Sequence, residues 1–359
     1  MCTASTVDGI ALSELSEKDF QPVSCLLSRS FGGKPEWYTA YFKYWWKHNP
    51  AWNETIPRGW VAKSDNGDAV AFTSNIPFEY RINGASALCC ATGSTAVDAR
   101  WRGQGLSKRV ASRFLQQPNP ALLVGTGSTE VAYRMWLSLG MKPLQRSWPS
   151  SSYCILGSVT GYAQTKLNNK VPALAFRITG AVETAIYGTL ISLARAGSRL
   201  DIQKVDCFDA SDDEDLLACR ASAASIYPLR NAKILNWLYF HPHIRDARAV
   251  HVAKSGGRIL GFIALKHYGH LLLLLECRTR DLDIEVARQL FLAAQDYASR
   301  NGVSYIRIWR YTPMIDAAAP RLGRITSPAP MPTYCYKANV SLTEEDWEST
   351  PGDGDLSVN

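Results

Sequence analysis

The sequence predicts an α/β protein of the α+β kind: two tandem copies of one unit, each a mixed, mostly antiparallel sheet flanked by helices. Three observations predict it. A tryptophan-bearing helix, stopped by proline and followed by a hairpin, occurs twice at an offset of about 191–192 residues, too long for a solenoid period. Both copies then continue strand, helix, strand in the same order. The chain has 359 residues, 46% hydrophobic and 20% charged, enough for two ordinary cores.

In the first copy Trp45-Trp46-Lys47-His48-Asn49-Pro50 ends the helix, and Gly59 to Lys63, an Asp-Asn-Gly turn and Ala69 to Phe72 form the hairpin. Ala85 to Val97 is apolar and β-leaning and reads as the next strand. The pattern then turns helical, with Leu106, Val110 and Leu115 on one face. Ala121 to Gly125 reads as a short buried strand. Ser128 and Thr129 are placed to cap a helix whose apolar face is Tyr133, Met135, Trp136 and Leu139, and Gly140 stops it.

In the second copy Trp237-Leu238-Tyr239-Phe240-His241-Pro242 repeats the tryptophan motif, and Val250 to Lys254 with Ile259 to Phe262 repeats the hairpin. Leu271 to Cys277 reads as a strand and Ile284 to Arg300 as a helix closing at Asn301-Gly302. Val303 to Trp309 alternates as a strand, and Ala317 to Gly323 reads as the end of a last short helix.

Between the copies, residues 171–194 are apolar but contain Arg177, Gly180, Glu183 and Gly188. The length could span a bilayer, yet two charges and two glycines make insertion costly. An inter-domain packing helix is expected, with an interfacial amphipathic helix in peripheral membrane contact as the alternative. The tail 343–359 is acidic, rich in Gly, Ser and Asp, and expected to be disordered. Nine cysteines, an odd count without a Cys-x-x-Cys pair, suit a reducing compartment. The first residues lack the basic and apolar regions of a signal peptide, so a cytoplasmic protein is expected. His241 and His243 alone make too weak a spacing for a metal, and none is expected.

Net charge is +7, unevenly spread: residues 1–200 carry about +9 and the remainder about −2. The basic half contains Arg100-Trp101-Arg102-Gly103-Gln104-Gly105-Leu106-Ser107-Lys108-Arg109, directly after a strand and opening a helix. The first four N–H groups of a helix lack internal partners, and the dipole there is positive. Gly103 and Gly105 let the main chain curl and approach a ligand closely. Such a turn, ringed by Arg100, Arg102, Lys108 and Arg109, suits a phosphate or pyrophosphate. Neither Gly-x-x-x-x-Gly-Lys-Ser/Thr nor Gly-x-Gly-x-x-Gly is present. The basic residues form no runs or stripe, so nucleic acid is not expected.

The segment resembles the pyrophosphate motif of the GNAT acyltransferases, Arg/Gln-x-x-Gly-x-Gly/Ala, with Arg102, Gly105 and Ser107 at its three defined positions. Ser107 departs from the usual glycine or alanine but remains small. Leu139-Gly140-Met141 resembles the family's closing tripeptide, and the likeness extends over about residues 5–157. It implies two tandem GNAT-like domains: 1–160 as the acyl-CoA-binding catalytic domain, 161–200 as a linker with the apolar helix, 201–342 as a degenerate copy, and 343–359 as the tail. The second copy lacks the turn. Arg278-Thr279-Arg280-Asp281-Leu282-Asp283 stands in its place without glycine, and Asp281 and Asp283 would repel phosphate. Paired GNAT-like domains also resemble proteins of bacterial polysaccharide and cell-envelope pathways, Fem-type aminoacyl transferases and N-myristoyltransferases, at fold level only.

The resemblance implies acetyl-CoA or another acyl-CoA as cofactor. It would be held by Val97, Arg100, Arg102, Gly103, Gln104, Gly105, Leu106, Ser107 and Thr129. The main-chain N–H groups around Ala96 to Asp98 would polarise the thioester carbonyl. The acyl group would pass to an amine of a small-molecule or sugar-like acceptor. The family's usual acid, a tyrosine, is replaced by Trp136, and Tyr133 is the nearest phenol. Ala85 to Val97 carries no carboxylate where many members place a glutamate, which leaves Ser94, Glu130 and Glu79 as candidates acting through water. His48 is a further candidate, and Cys90 reads as core sulfur. These departures leave two alternatives: a CoA-binding pseudoenzyme, and a Fem-type transferase, which the intact Arg-Gly-Gln-Gly turn disfavours.

Overall fold

A computed structural model describes residues 5–7, 9–126, 129–144, 152–167, 199–244, 247–309, 312–319, 325–327, 334–338 and 347–348, with six helical positions between 182 and 189. The chain begins with the meander β1 (Ser5–Val7), β2 (Ile10–Glu14), β3 (Gly59–Lys63) and β4 (Ala69–Ser74). Helices α1 (Phe20–Phe31) and α2 (Pro35–Phe42) join β2 to β3, and α2 runs into a π-helical turn, Lys43–Lys47. β5 (Ile76–Ile82) and β6 (Ala85–Thr92) form a hairpin, followed by β7 (Ala96–Val97), α3 (Leu106–Leu115), β8 (Leu122–Thr126), α4 (Glu130–Ser138) and β9 (Lys142–Pro143).

β10 (Ser152–Leu156) and α5 (Val159–Leu167) lead towards the second copy. There follow β11 (Asp201–Val205), α6 (Asp213–Ala218), β12 (Cys219–Arg220), β13 (Ile226–Pro228) and α7 (Ala232–Leu235). A second π-helical turn, Asn236–Phe240, precedes β14 (Arg248–Ser255), β15 (Arg258–Tyr268), β16 (Leu271–Arg280) and α8 (Ile284–Arg300). β17 (Tyr305–Trp309), α9 (Pro313–Ala318), β18 (Ile325–Ser327) and β19 (Tyr334–Ala338) complete the elements. The last helix, capped by Thr312, ends at Ala318, inside the stretch where the sequence placed its end; 320–324 lie outside the described residues.

Ala85 to Val97 is not one strand, contrary to the sequence reading. The run breaks at Gly93-Ser94-Thr95, and its two pieces join different sheets: β6 pairs with β5 and β8, β7 with β4. The break is tied in place. Ser74 Oγ donates to Gly93 O and accepts from Gly93 N, while the hydroxyls of Thr73, Thr92 and Thr95 hydrogen-bond together. Ser94 takes φ +50°, uncommon for a residue with a Cβ. An apolar pattern shows that a segment is extended, not which neighbour it bonds.

The copies are interlocked. The sheets order as β1-β2-β3-β4-β7, as β13-β5-β6-β8-β19-β9, and as β11-β14-β15-β16-β17-β10-β18, with β12 beside β16. β10, from the first half, thus lies between two strands of the second, and β19, from the far end of the chain, lies between β8 and β9. One hydrophobic core draws on both halves, with Leu26, Phe42, Trp45 and Phe78 in the same cluster as Trp237, Leu238, Phe262 and Leu275. Residues 193 apart face each other across the seam. Tyr44 packs on Trp237 at 5.3 Å between ring centroids and His48 on His241 at 4.8 Å.

One further sequence expectation changes, and another falls mostly outside the described residues. The tail from 343 is not wholly loose: Trp347 bridges Ile226, and Glu348 is buried, accepting hydrogen bonds from Ala221 N and Ser222 N and pairing with Arg278. Composition could not reveal that one acidic residue there has a buried arginine to meet. Most of 171–194 lies outside the described residues. Its Glu183 caps α5, accepting from Thr160 N, Val159 N and Ser158 Oγ. Among the described residues, no helix is long and apolar enough to cross a membrane.

Candidate functional site

β6 and β8 run parallel in register from Cys89↔Leu122 to Thr92↔Gly125 and then part. Past the break, β7 follows β4 while β8 continues to Thr126. β7 is the last strand of its sheet, and among the described residues no strand covers its outer edge. Asp98 N–H donates to Val70 O on β4. Backbone alternation therefore aims the Val97 N–H at the open edge, away from β4. Of the three N–H groups that the resemblance singled out, Asp98's is thus spent, and Val97's has no acceptor among the described residues.

Immediately after β7 the chain makes the glycine turn. Gly103 and Gly105 take φ +82° and +73°, and a Cβ at either would point into open space. Gly105 is the N-cap of α3 and offers no side chain to it. The first helical bond is Arg109 N–H to Gly105 O. Among the described residues, the N–H groups of Gly103, Gln104, Gly105, Leu106, Ser107 and Lys108 have no acceptor. Leu106 is buried in the core under α3 and anchors the turn, whereas Arg102, Gly103, Gln104, Gly105 and Lys108 are exposed. The turn is a cluster of unspent donors on a rigid base, and a pyrophosphate fits it.

The cations divide. Arg100 forks onto Asp98, with Nε and Nη2 each at 3.1 Å from a carboxylate oxygen, and Arg29 of α1 reaches the same carboxylate at 3.1 Å. Hydrogen bonding from Arg100 holds the Asp98 carboxyl at about 2, well below its usual range, against the opposing effect of burial. Arg100 therefore fastens the entry to the turn. Arg102, Lys108 and Arg109 have no acidic partner among the described residues. Sequence reasoning missed Asp98 and Arg29. Asp98 stands beside the turn and was legible; Arg29 comes from 69 residues upstream and was not.

The candidate catalytic residues scatter. Ser94 sits in the bend where the strands part, half-buried. Tyr133, half-buried on α4, packs against the core under that helix, and burial raises its phenol pKa, with Cys335 and Glu130 adding to the effect. Trp136 is core: 1% exposed, edge-on to Phe114 at 5.7 Å. Thr129 caps α4, accepting from Ala132 N at 3.3 Å, while Ser128 lies outside the described residues. Glu130 is 65% exposed and paired with Arg134 at 2.7 Å.

The remaining candidates lie elsewhere. Glu79 is opposite Leu88, four strand positions from Thr92 and hence about 13 Å up the sheet. His48 packs on His241 at the seam. Cys90 is fully buried, and burial pushes its thiol up to about 12.

The equivalent place in the second copy is closed. β16 and β17 run parallel from Leu271↔Tyr305 to Leu273↔Arg307 and part, as β6 and β8 do. There, however, β12 pairs with the end of β16, Cys219↔Arg280 and Arg220↔Thr279. Glu276 on β16 is fully buried between Arg230 (2.9 Å) and Arg278 (2.8 Å), with the Tyr239 hydroxyl donating to it. Burial alone would raise its pKa, but the two arginines override it and hold the carboxyl below its ordinary range. At α8, Asp283 caps the helix, accepting from Glu285 N and Val286 N at 2.7 and 3.1 Å.

No protein-family model and no curated protein matches the chain. Solved structures do. A conserved Enterococcus faecalis V583 protein described as a probable N-acyltransferase aligns at TM-score 0.57 and 12% identity, over 92% of this chain and 72% of that one. A GCN5-related N-acetyltransferase from Kribbella flavida aligns at TM-score 0.55 and 14% identity with the same coverages. Saccharomyces cerevisiae N-myristoyltransferase with bound myristoyl-CoA aligns at TM-score 0.53 and 11% identity, over 98% and 88%. The chain has the GNAT fold over most of its length.

Proposed function

We propose that this protein transfers an acyl group from acetyl-CoA or another acyl-CoA to an amine of a small-molecule or sugar-like acceptor, using the first copy alone. The observation that carries this reading is the edge of β7, uncovered among the described residues, leading directly to the bare N-terminus of α3. The main-chain N–H groups of Gly103 to Ser107 would hold the pyrophosphate, with Arg102 and Lys108 adding charge. Val97 N–H would meet the pantetheine arm or the thioester carbonyl where the strands part. Bound there, the cofactor supplies an activated acyl group. Tyr133, the tyrosine of α4, would protonate the leaving thiolate, a modest task since a thiol's own pKa is near 8.5. Ser94 would orient the acceptor or a water that takes its proton.

The second reading is a CoA-binding protein without turnover. Two observations favour it: Trp136 fills the usual tyrosine position as core, and neither β6 nor β7 carries a carboxylate. Calorimetric titration of CoA into wild type and Arg102→Glu/Gly105→Val tests the shared premise. The variant is expected to lose at least about 100-fold in affinity, some 2.7 kcal/mol; equal heats would refute the placement. Free-thiol release from acetyl-CoA over a panel of amines and amino sugars then separates enzyme from binder.

A further inference from the structure

We propose that the cavity at the N-terminal end of α1 binds a small amphipathic anion, an aromatic or short aliphatic body bearing a carboxylate, phosphate or sulfonate. The cavity holds about 330 Å³, within the range of small-molecule sites. Its floor is aromatic. Phe20 stacks on Trp46 at 5.8 Å, and Phe42 lies 5.1 Å from Phe20 and 5.4 Å from Trp46.

The floor is also fixed before any ligand arrives. The Trp46 indole donates to Asn75 O at 2.8 Å, and Asn75 in turn donates to Arg58 O at 3.0 Å and Pro57 O at 2.6 Å. A site already ordered loses less entropy on binding.

The rim is basic: Lys18, Lys43, Lys47 and Arg58 line the same cavity. Glu17 is the one carboxylate among the described lining residues; it is 76% exposed and reaches Arg58 at 3.5 Å. The nearby Asp19 is engaged with Lys63 at 2.8 Å and does not line the cavity. Three lysines and an arginine thus face one glutamate above an apolar floor, and cations beside a low-dielectric wall attract an anion more strongly than the same cations in open water. A neutral aromatic would gain only the floor, and an inorganic anion only the rim.

This cavity is separate from the phosphate turn. Arg29, which touches Asp98, is near the other end of α1, and twelve helical residues span about 18 Å. The inference therefore does not depend on acyl transfer.

The test is calorimetry with 1-naphthoate, with 1-naphthol and inorganic phosphate as separate arms. Two surface variants accompany it, each checked for an unchanged melting curve: Lys43→Glu/Lys47→Glu, and Gln21→Trp, which fills the cavity from its exposed rim. Naphthoate is expected to bind wild type at one saturable site, with both variants and both partial probes weaker by about tenfold or more. CoA affinity is expected to be the same in all three proteins. Absence of saturable naphthoate binding, equal binding in wild type and variants, naphthol binding as tightly as naphthoate, or displacement of naphthoate by CoA would each overturn the proposal.

Discussion

The N-termini of α3 and α8 stand at the same point of the repeat, one bare and one closed. At α3 the cap is Gly105 with nothing to offer, and the strand before it keeps an open edge among the described residues. At α8 a carboxylate of the chain itself, Asp283, occupies the place an anion would take, and β12 covers the strand edge. Beneath it, Arg230, Glu276, Arg278 and Glu348 neutralise one another in the interior. The two copies share an architecture and differ in whether the donors of that architecture are already satisfied. A fold supplies a phosphate site only where its own side chains leave the helix end unspent.

The largest expected effect tests the closed side. Glu276→Ala removes the buried carboxylate that Arg230 and Arg278 share, Arg278 keeping Glu348, and should cost about 3–5 kcal/mol in urea denaturation, because it leaves buried positive charge in excess rather than merely removing a bond. A loss under about 1 kcal/mol would mean that the second copy is not held shut by ions.

Next, Gly105→Asp carries the second copy's carboxylate cap into the first. CoA affinity by calorimetry should fall about 100-fold or more, through repulsion of the diphosphate and the strain of a Cβ at φ +73°. Unchanged affinity would break the comparison outright.

Asp98→Asn sharpens it. The depressed Asp98 carboxyl contributes stability that is whole above about pH 4 and is lost as pH falls towards about 2. The variant should be less stable at neutral pH by about 1–2 kcal/mol and should melt with a flatter dependence across that acid window. Parallel melting curves for both proteins between pH 4 and 2 would show that the clasp does not matter.

The smallest effects divide α4. Tyr133→Phe should lower kcat by about tenfold with CoA affinity unchanged, whereas Glu130→Gln, paired with Arg134 in solvent, should change turnover by less than about twofold. The reverse order would exchange their roles.

Much of this was legible in one dimension. The helix Ile284–Arg300 has the bounds its apolar period gave it, the Gly140 stop closed α4, and the glycine turn stood where the charge and the pattern switch put it. These features rest on interactions between residues a few positions apart, and such interactions are written in local sequence. The break at Gly93-Ser94-Thr95 was not legible, since an apolar run looks the same whether its strand keeps one partner or changes it.

The sequence by itself determined the repeat, the order of elements, the glycine turn with its cations and the absence of that turn from the second copy. Tertiary structure alone decided that β10 and β19 cross between the copies, that Arg29 and Asp98 clasp the turn, and that β12 and Glu348 close the second cleft. The reason is physical. Each of those outcomes is a hydrogen bond or ion pair between groups tens to hundreds of residues apart, and its free energy depends on burial that exists only once the chain has folded.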